Sequence, residues 1–406
     1  MGLASRFGVV ALSAVLGMGT VAAGDDWPSY RGLNCDGVSV ESGWNAGALK
    51  QPKIVWKANV GAGAASMVTS NGKLYTMGNK QDQDTVYCFN AETGDVLWKH
   101  SYPCALDKRM FEGGTAATPT VAGKNVYTLS QRGHLFCLDA EKGTVVWSKN
   151  LVTDFGGTLS QWHYAGSPLV EANAVFVEAG GKGASVVALD KNTGKTIWKT
   201  GSDGAGYATP VAFKNKKDKD AVLVFNAAGL VAHDLASGNE LWRFKWKTSY
   251  DVNAATPLVF DDKVFISSGY NRGCALVDIS GGQPKLVVEN KHMQAQFPTP
   301  ILHKGYIYGI SGNTPGGELR CLDAKDLTAK WSKEGLGTGG LTLAGGKLIV
   351  QGEKGQLVIA EASPEGFKEL SSAKVLSGRC WVQPVLSNGR IYTKNNVGEM
   401  VAIDVR

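Results

Sequence analysis

Short apolar runs separated by turn residues fill most of the chain, and one pattern of polar and apolar positions recurs. In each copy an apolar strand leads into a turn that begins with Asp or Asn and contains Gly, and a second strand with a Trp follows. Gly supplies the positive φ of a tight turn, and an Asp or Asn side chain binds the turn backbone. The pattern therefore predicts a series of antiparallel strand pairs. Its copies are residues 89–99, 138–148, 189–199 and 233–243, with a weaker copy that lacks the Gly at 322–331.

The spacing of the Trp residues indicates the size of the repeating unit. From Trp56 to Trp242, successive repeat Trp residues lie 42 to 51 residues apart, and Trp331 follows 89 residues after Trp242. The longer interval corresponds to two periods with one Trp missing, and an apolar strand at 284–288 stands where that Trp is expected. A period of about 46 residues is typical of propeller blades with four strands.

A second signal marks the start of each unit, where Thr-Pro or Ser-Pro opens a short strand, as at Thr118-Pro119 and Thr256-Pro257. Counting these openings gives eight units that begin near residues 66, 118, 167, 209, 256, 299, 340 and 383. The last unit ends without an outer strand, and an unassigned strand precedes the first unit. We therefore predict an all-β fold: one eight-bladed β-propeller of four-stranded antiparallel blades over residues 53–406. The N-terminal strand, at about 53–59, completes the last blade and closes the ring. Two separate domains are disfavoured because no linker interrupts the period.

The N-terminal residues differ from the repeats. Residues 1–23 combine one positive charge, an apolar run and small residues before a polar segment, as in a secretory signal peptide, and residues 24–52 form an N-terminal strap. We expect a periplasmic or extracellular protein without a lipid anchor, because no Cys stands at the cleavage junction, and without a membrane span. A hydrophobic content of 43% excludes disorder, and a net charge of +6 over 406 residues is too dilute to indicate nucleic-acid binding.

The spacing Asp-x-x-x-Gly-x-x-x-Trp, seen at Asp139–Gly143–Trp147 and Asp190–Gly194–Trp198, resembles the pyrroloquinoline-quinone-like (PQQ-like) propeller repeat. This repeat occurs in quinoprotein dehydrogenases and in the outer-membrane assembly propeller BamB. Residues 26–32 and 36–39 also look like the start of secreted bacterial propellers of this superfamily. The resemblance covers about residues 26–406 and is specific for fold rather than activity. It implies that the repeat Trp residues are structural and dock each blade against its neighbour. They are Trp56, Trp98, Trp147, Trp198, Trp242 and Trp331.

The catalytic branch of this family is expected to have a vicinal Cys-Cys disulfide over the cofactor, a calcium ion held by carboxylate and amide groups, and a catalytic Asp. The sequence has no Cys-Cys pair, no loop that gathers Asp, Glu and Asn, and no Cys-x-x-Cys-His for covalent haem. We therefore assign no catalytic residue and no metal ligand. No cofactor is expected, and PQQ with calcium is a disfavoured alternative.

The seven cysteines fall into two groups. Cys88, Cys137 and Cys321 share one repeat position, where other units have Ala, and are predicted to be buried free thiols. The other four lie in loops or turns. An oxidising compartment permits one disulfide among them, but the sequence does not give the pairing. They are Cys35, Cys104, Cys274 and Cys380.

The connections between blades carry the candidate binding residues. Several aromatic and amide residues precede the strand-opening Pro by three or four positions, so we expect them to form a ring around the mouth of the central channel. Such a rim suits a peptide, a glycan or a flat small molecule, although the same aromatics could merely cap the core beneath the loops. The candidates are Arg109, Trp162, His163, Tyr164, Tyr207, Tyr250, Asn253, Gln296, Arg379 and Trp381.

Three functions are compatible with these features. The favoured one is a non-catalytic binding or scaffold propeller, monomeric, that presents its loop face to a protein or an extracellular polymer, with a small molecule as a further possibility. One alternative is a PQQ-dependent oxidoreductase acting on an alcohol or sugar. The other, suggested by the resemblance to BamB, is a role in outer-membrane protein assembly, against which the missing lipid anchor counts.

Overall fold

Eight antiparallel β-sheets form a closed ring in the computed structural model, which describes residues 26–107, 111–214 and 220–406. In six sheets the four strands follow one another in sequence, while the other two sheets each add an N-terminal strand. First strands of neighbouring blades contact each other around the central axis. The described helices are one short α-helix, Leu151–Phe155, and two 3-10 turns, Ala48–Lys50 and Ser249–Asp251. The predicted eight-bladed all-β propeller is confirmed.

The first four blades begin within two residues of the predicted positions. Blade 1 contains Val68–Ser70, Lys73–Lys80, Gln83–Asn90 and Val96–Pro103. Blade 2 contains Thr120–Ala122, Asn125–Leu129, His134–Asp139 and Val145–Asn150. Blade 3 contains Leu169–Glu171, Ala174–Gly181, Ala184–Asp190 and Thr196–Thr200. Blade 4 contains Val211–Lys214, Asp220–Asn226, Gly229–Asp234 and Glu240–Lys245.

The last four blades complete the ring. Blade 5 contains Leu258–Phe260, Lys263–Ser268, Gly273–Asp278 and Lys285–Asn290. Blade 6 contains Ile301–His303, Tyr306–Ser311, Glu318–Asp323 and Ala329–Lys333. Blade 7 contains Gly340–Ala344, Lys347–Gln351, Gln356–Glu361 and Glu369–Lys374, and the two-residue strand Val38–Ser39 adds to it in parallel. Blade 8 contains Val385–Ser387, Arg390–Lys394, Glu399–Asp404 and Lys53–Asn59.

The ring closes between the two ends of the propeller. Lys53–Asn59 pairs antiparallel with Glu399–Asp404 as the outer strand of blade 8, as predicted. Trp56 on this strand is buried, and its indole N–H donates to the carbonyl of Ala91 in blade 1 at 3.0 Å. Closure thus joins blade 8 to blade 1 through the same contact that joins blades 1 to 4 to one another.

Each repeat Trp packs on the turn of the next blade. The indole N–H groups of Trp98, Trp147 and Trp198 each donate to a backbone carbonyl of that turn at 3.0 Å. The indole ring covers the repeat Gly, and a Cβ at this Gly would lie 2.5–2.7 Å from indole atoms, far inside van der Waals contact. This holds for Gly94 on Trp56, Gly143 on Trp98, Gly194 on Trp147 and Gly238 on Trp198. Gly is therefore required at this position for two reasons: the backbone has a positive φ, and the indole leaves no space for a Cβ.

At the interface between blades 5 and 6, a Val and a Leu replace the Trp and the Gly. In blade 5, Val288 occupies the register position of the repeat Trp. It pairs with Leu276 directly after a bulge, just as Trp98 pairs with Cys88 directly after a bulge in blade 1. In the turn of blade 6, Leu327 takes the position of the Gly with φ of 60°, and its side chain is completely buried. Val288 and Leu327 belong to one apolar cluster. Where the indole is absent, a leucine side chain fills the space.

The strap takes over the role of the missing Trp in blade 7. Ser371 holds the Trp register position there, opposite Ile359, and its hydroxyl donates to the carbonyl of Ala46. The backbone N–H of Asn45 donates to the carbonyl of Val405 at 2.6 Å, at the blade 8 turn where an indole would donate in other blades. Trp44 is buried in the cluster between blades 7 and 8. An indole from outside the repeat thus fills this interface.

All seven cysteines are free thiols. Cys88, Cys137 and Cys321 are fully buried, as predicted. Cys104, Cys274 and Cys380 are also buried and Cys35 is half-buried, and no disulfide joins any of these four. The prediction that Cys274 lies in a loop or turn is wrong, because it pairs with Ser267 and Asn290 within the strand Gly273–Asp278 of blade 5. Among the described residues, no helix is long and apolar enough to cross a membrane.

The exchange between indole and leucine can be tested by a double-mutant cycle. Val288→Trp alone should destabilise the fold by about 1–3 kcal/mol through overpacking against Leu327. Leu327→Gly alone should cost about 2–5 kcal/mol by emptying the space. The double variant should be more stable than the sum predicts, by at least about 1 kcal/mol in urea unfolding, because it recreates the pair of the other blades.

Leu327→Ala is the matched control in the same cycle, because its Cβ still occupies the face that the indole needs. Val288→Trp with Leu327→Ala should show no favourable coupling. Equal coupling with Ala and with Gly would contradict the interpretation of the motif.

Candidate functional site

A cavity of about 460 Å³ lies on the axis of the propeller. The residues just before the first strands form most of its wall, the strap forms its floor, and connections and hairpin turns form its rim. This volume is within the range of about 300–1,000 Å³ that is typical of small-molecule sites.

The wall carries a belt of hydroxyl groups, one from the start of each of the first six blades. The backbone N–H at this position in one blade donates to the hydroxyl of the next blade, from Ser66 to Thr118 at 2.9 Å and onward to Thr299. Gln383 of blade 8 continues the belt. Its backbone carbonyl accepts from the Ser66 hydroxyl, and its side-chain amide donates to the carbonyl of Leu341. The hydroxyl belt consists of Ser66, Thr118, Ser167, Thr209, Thr256 and Thr299.

The strap closes the channel from below. Residues 27–39 run across the inner strands: Trp27 bridges to Thr69 in blade 1, and the carbonyl of Pro28 accepts from the backbone of Val121 in blade 2. Val38 then pairs with Leu343 in blade 7. Between these contacts Tyr30 and Arg31 reach the cavity, and the Tyr30 hydroxyl lies 3.2 Å from the Thr299 hydroxyl. The cavity is therefore open only toward the loop face.

Two aromatic clusters stand at the rim. In the first, Trp162 contacts Tyr207, Tyr250 and Tyr270 with ring centroids 5.8–6.4 Å apart. In the second, Trp381 contacts Phe111 and Phe297 at 4.8 and 4.9 Å. Neighbouring blades contribute to the first cluster, whereas the second joins Phe111 and Trp381 from the two ends of the ring, so ring closure assembles this part of the rim. Aromatic faces at a cavity mouth favour flat or apolar groups.

Four of the predicted candidates line the cavity: Trp162, Tyr207, Gln296 and Trp381. Gln296 accepts from the backbone N–H of Thr314 and donates to the hydroxyl of Tyr270, which fixes its amide at the rim. Their role in binding stays a prediction.

The other candidates lie elsewhere. Tyr164 is buried, with its hydroxyl on the carbonyl of Ala179 at 2.7 Å, and His163 is buried with its Nε2 3.9 Å from Asp107 Oδ2. Asn253 is completely buried and joins two connections by donating to the carbonyls of Asn226 and Trp246. The expected ring around the mouth thus includes neither Tyr164 nor Asn253.

Three candidates remain. Tyr250 is 60% exposed and packs on the outside of the first cluster. Arg379 stands over the rings of Phe111 and Trp381 and forms an ion pair with Glu112. Arg109 lies outside the described residues.

Several cavity residues lie on the turns between the second and third strands of a blade, which the sequence analysis did not consider. In an antiparallel sheet this turn lies at the same end as the connection from the preceding blade, so the topology alone could have indicated them. They are Gln131, Tyr270, Asn313, Thr314 and Asn396. Arg31 was missed because nothing local places the strap inside the channel.

The carboxylates near the rim are occupied by protein donors. Glu353 accepts from the Thr314 hydroxyl, from the backbone of Gly316 and Thr338, and from the Trp381 indole. Burial would raise the pKa of Glu353, but these hydrogen bonds hold it below its usual value. Glu112 is bound by Arg379 and Asn396. Neither carboxylate is positioned as a general acid or base.

A buried lysine stands behind the cavity wall. Lys394 is completely buried, and its amine donates to the carbonyl of Gly63. Burial lowers the pKa of Lys394 to about 7, while the nearby Cys380 opposes this shift.

The donor set does not fit a quinone with calcium. A calcium ion takes about six to eight oxygen ligands, whereas the described residues contain no group of three or more His, Cys, Asp or Glu side chains suited to one ion. The oxygens of Glu353 face N–H and O–H donors, which leaves no lone-pair cluster for a cation. The aromatic rim could cover a flat ring, but the residues that would anchor the ion are not gathered there.

Fold and site together define a class: an eight-bladed propeller with an axial cavity that is closed at one end and rimmed by aromatics. The family model described as outer membrane protein assembly factor BamB matches residues 84–333, more than half of the chain. The protein therefore belongs to this family of PQQ-like propellers.

Curated relatives span different activities. The chain is 28% identical to tetrathionate hydrolase of Acidithiobacillus ferrooxidans over 58% of its own length and 47% of the relative's. It is 31% identical to quinoprotein ethanol dehydrogenase of Pseudomonas aeruginosa over 52% and 35%. It is 23% identical to BamB of Yersinia pestis over 71% and 69%. The chain thus spans less than half the length of the first two relatives.

Solved structures show the same fold. Quinohemoprotein alcohol dehydrogenase from Comamonas testosteroni superposes with a TM-score of 0.69 at 15% identity, covering 95% of this chain and 81% of that one. BamB from Moraxella catarrhalis superposes with a TM-score of 0.63 at 16% identity, covering 87% and 97%. At these identities the likeness concerns the fold alone.

Lys394 makes stability depend on pH. Its pKa is about 7 in the folded protein against 10.5 for an ordinary lysine, so unfolding takes up a proton in this window and stability rises with pH across it. Lys394→Met should stabilise the protein most below pH 7. The gain should shrink by up to about 1.4 kcal/mol per pH unit between pH 7 and 9.

Urea unfolding at pH 6, 7, 8 and 9 measures this trend, with the exposed Lys374→Met as control. A constant difference between Lys394→Met and the unmodified protein across these pH values would show that Lys394 is charged throughout.

Proposed function

We propose that this protein is a non-catalytic binding propeller, periplasmic or extracellular, that takes a ligand or a segment of a protein partner into its axial cavity. One observation carries this proposal: aromatic side chains surround the mouth of the cavity, and the carboxylates near the mouth are already hydrogen-bonded to protein groups. Six of the seven aromatic side chains of the rim line the cavity, while Glu112 and Glu353 are held by protein donors. Such a site can hold a ligand, but it lacks a free acid and base.

The similarity to BamB supports a protein as the partner. BamB is named as an outer membrane protein assembly factor, and the relative from Yersinia pestis aligns with about 70% of both chains. A role in outer-membrane protein assembly is the specific form that this similarity suggests. Co-purification of assembly components from the native envelope would distinguish it from binding of an unrelated ligand.

Removal of the rim should abolish binding without unfolding the ring. Trp162 and Trp381 are both half-buried at the mouth, so Trp162→Ala and Trp381→Ala should leave the circular dichroism spectrum unchanged. Each should weaken partner capture from the native envelope at least about tenfold, as expected for aromatic residues at the centre of an interface.

Leu97→Ala and Leu286→Ala are matched controls, because these side chains are about half exposed on outer strands away from the cavity. They should leave capture unchanged. If both Trp variants retain all partners that the unmodified protein captures, the rim is not the binding site.

A quinone-dependent oxidoreductase is the second candidate, favoured by the 31% identity to quinoprotein ethanol dehydrogenase. When bound, the quinone would supply two-electron oxidation of an alcohol or sugar. The aromatic rim would stack on it, and no described cluster would anchor its calcium. Incubation with PQQ and calcium, followed by dye reduction with alcohols and sugars, tests this candidate. We expect neither a bound-quinone absorbance nor turnover, and turnover that Trp162→Ala abolishes would replace the binding proposal.

A further inference from the structure

Arg31 is a buried cation at the floor of the cavity. Its side chain belongs to the strap, is 1% exposed and lines the cavity. Its Nε donates to the carbonyl of Cys35 at 3.0 Å, its Nη2 to that of Asp36 at 2.6 Å, and its Nη1 to that of Thr299 at 3.4 Å. These contacts hold the guanidinium between the strap and blade 6. A guanidinium has five N–H donors, so two of them are not used by these bonds.

The charge of Arg31 has no ion-pair partner among the described residues, and the Asp36 carboxylate acts on it only from more than 4.0 Å. No carboxylate of the described residues lies within 4.0 Å of its guanidinium, and its three partners are backbone carbonyls. The Asp36 carboxylate instead accepts from the backbone of Val38. The only other charged side chain on the described cavity wall is Glu112, which is bound by Arg379 and Asn396 at the rim. A buried charge without a counter-charge is costly, and an anionic ligand in the cavity would remove this cost.

The hydroxyl belt adds further donors above Arg31. The oxygens of Thr118, Ser167, Thr209 and Thr256 accept from the backbone of the preceding blade. None of these four hydroxyls donates to another described residue, although all four line the cavity. Four O–H groups are therefore free to donate to an acceptor on the axis. The lower cavity thus presents hydrogen-bond donors and one positive charge.

We propose that the lower cavity binds the carboxylate of a ligand whose aromatic or apolar body lies against the rim. This inference rests on the proposed binding function and specifies its ligand chemistry. A carboxylate matches the site better than a phosphate dianion, because it carries a single charge and a planar guanidinium binds it with two parallel hydrogen bonds. The carboxylate could belong to a small aromatic acid or to the C-terminus of a polypeptide. Both share this chemistry, and the experiment separates them.

Matched pairs of acid and amide test the proposal on the unmodified protein. N-acetyl-L-tryptophan and N-acetyl-L-tryptophanamide differ at the carboxylate alone and represent a small aromatic acid. The peptide acetyl-Ala-Ala-Phe with a free or an amidated C-terminus represents a chain end. Isothermal calorimetry should show that at least one acid binds at least about tenfold more tightly than its amide. The pair with the larger ratio identifies the source of the carboxylate.

Substitution of Arg31 provides the second arm. Arg31→Gln should remove the preference for the acid, and Arg31→Lys, which keeps the charge but not the paired donors, should retain part of it. Trp162→Ala should weaken the acid and the amide alike, because it removes the stacking surface but not the cation. If Arg31→Gln does not fold, the comparison of acid and amide on the unmodified protein still decides.

Two outcomes would overturn this inference. One is equal binding of acid and amide, which would leave the cavity a binding site for neutral ligands and the proposed function intact. The other is no binding of any acid at millimolar concentration. Failure of the proposed function has a different signature, namely unchanged partner capture by the rim variants Trp162→Ala and Trp381→Ala.

Discussion

The packing of an indole on a glycine between neighbouring blades is the contact on which the ring depends. The indole N–H binds a carbonyl of the next turn, as from Trp98 to Ala140, and the ring lies where the Cβ of Gly143 would be. Because the contact joins four neighbouring pairs of blades, from blades 8 and 1 to blades 3 and 4, the motif within one repeat specifies an interface and not only a turn. Two interfaces without this pair fill the same space in other ways. Leu327 fills it opposite Val288, and the strap residue Trp44 supplies an indole beside Ser371.

The N-terminal residues act at three places in the ring. Lys53–Asn59 completes blade 8, residues 44–46 fill the interface between blades 7 and 8, and residues 27–39 close the channel. Closure removes the unpaired strand edges that an open array would leave. It also places Arg31, a residue from outside the repeats, at the base of the cavity.

The cavity owes its chemistry to this arrangement. The blades surround the axis, so the Ser or Thr at the start of each of the first six blades becomes part of one belt of hydroxyls that faces the cavity. The connections add aromatics above the belt, and the strap adds a cation below it. The carboxylates near the mouth hold loops together, since Glu353 binds the backbone of Gly316 and Thr338.

The sequence by itself determined the blade number, the strand order and the closing strand. These features follow from periodicity, because every blade must bury the same apolar faces and the last one lacks an outer strand. It also identified Tyr207, Gln296 and Trp381 as residues of the channel mouth, because they occupy one repeated position, and Trp162 as an aromatic residue of the same set of connections. Only the tertiary structure decided that Tyr164 and Asn253, at the same position, turn into the core, and that Arg31 enters the channel. Repetition fixes where a backbone position lies in the ring, whereas the direction of a side chain and the path of a segment outside the repeats depend on the space that neighbouring blades leave.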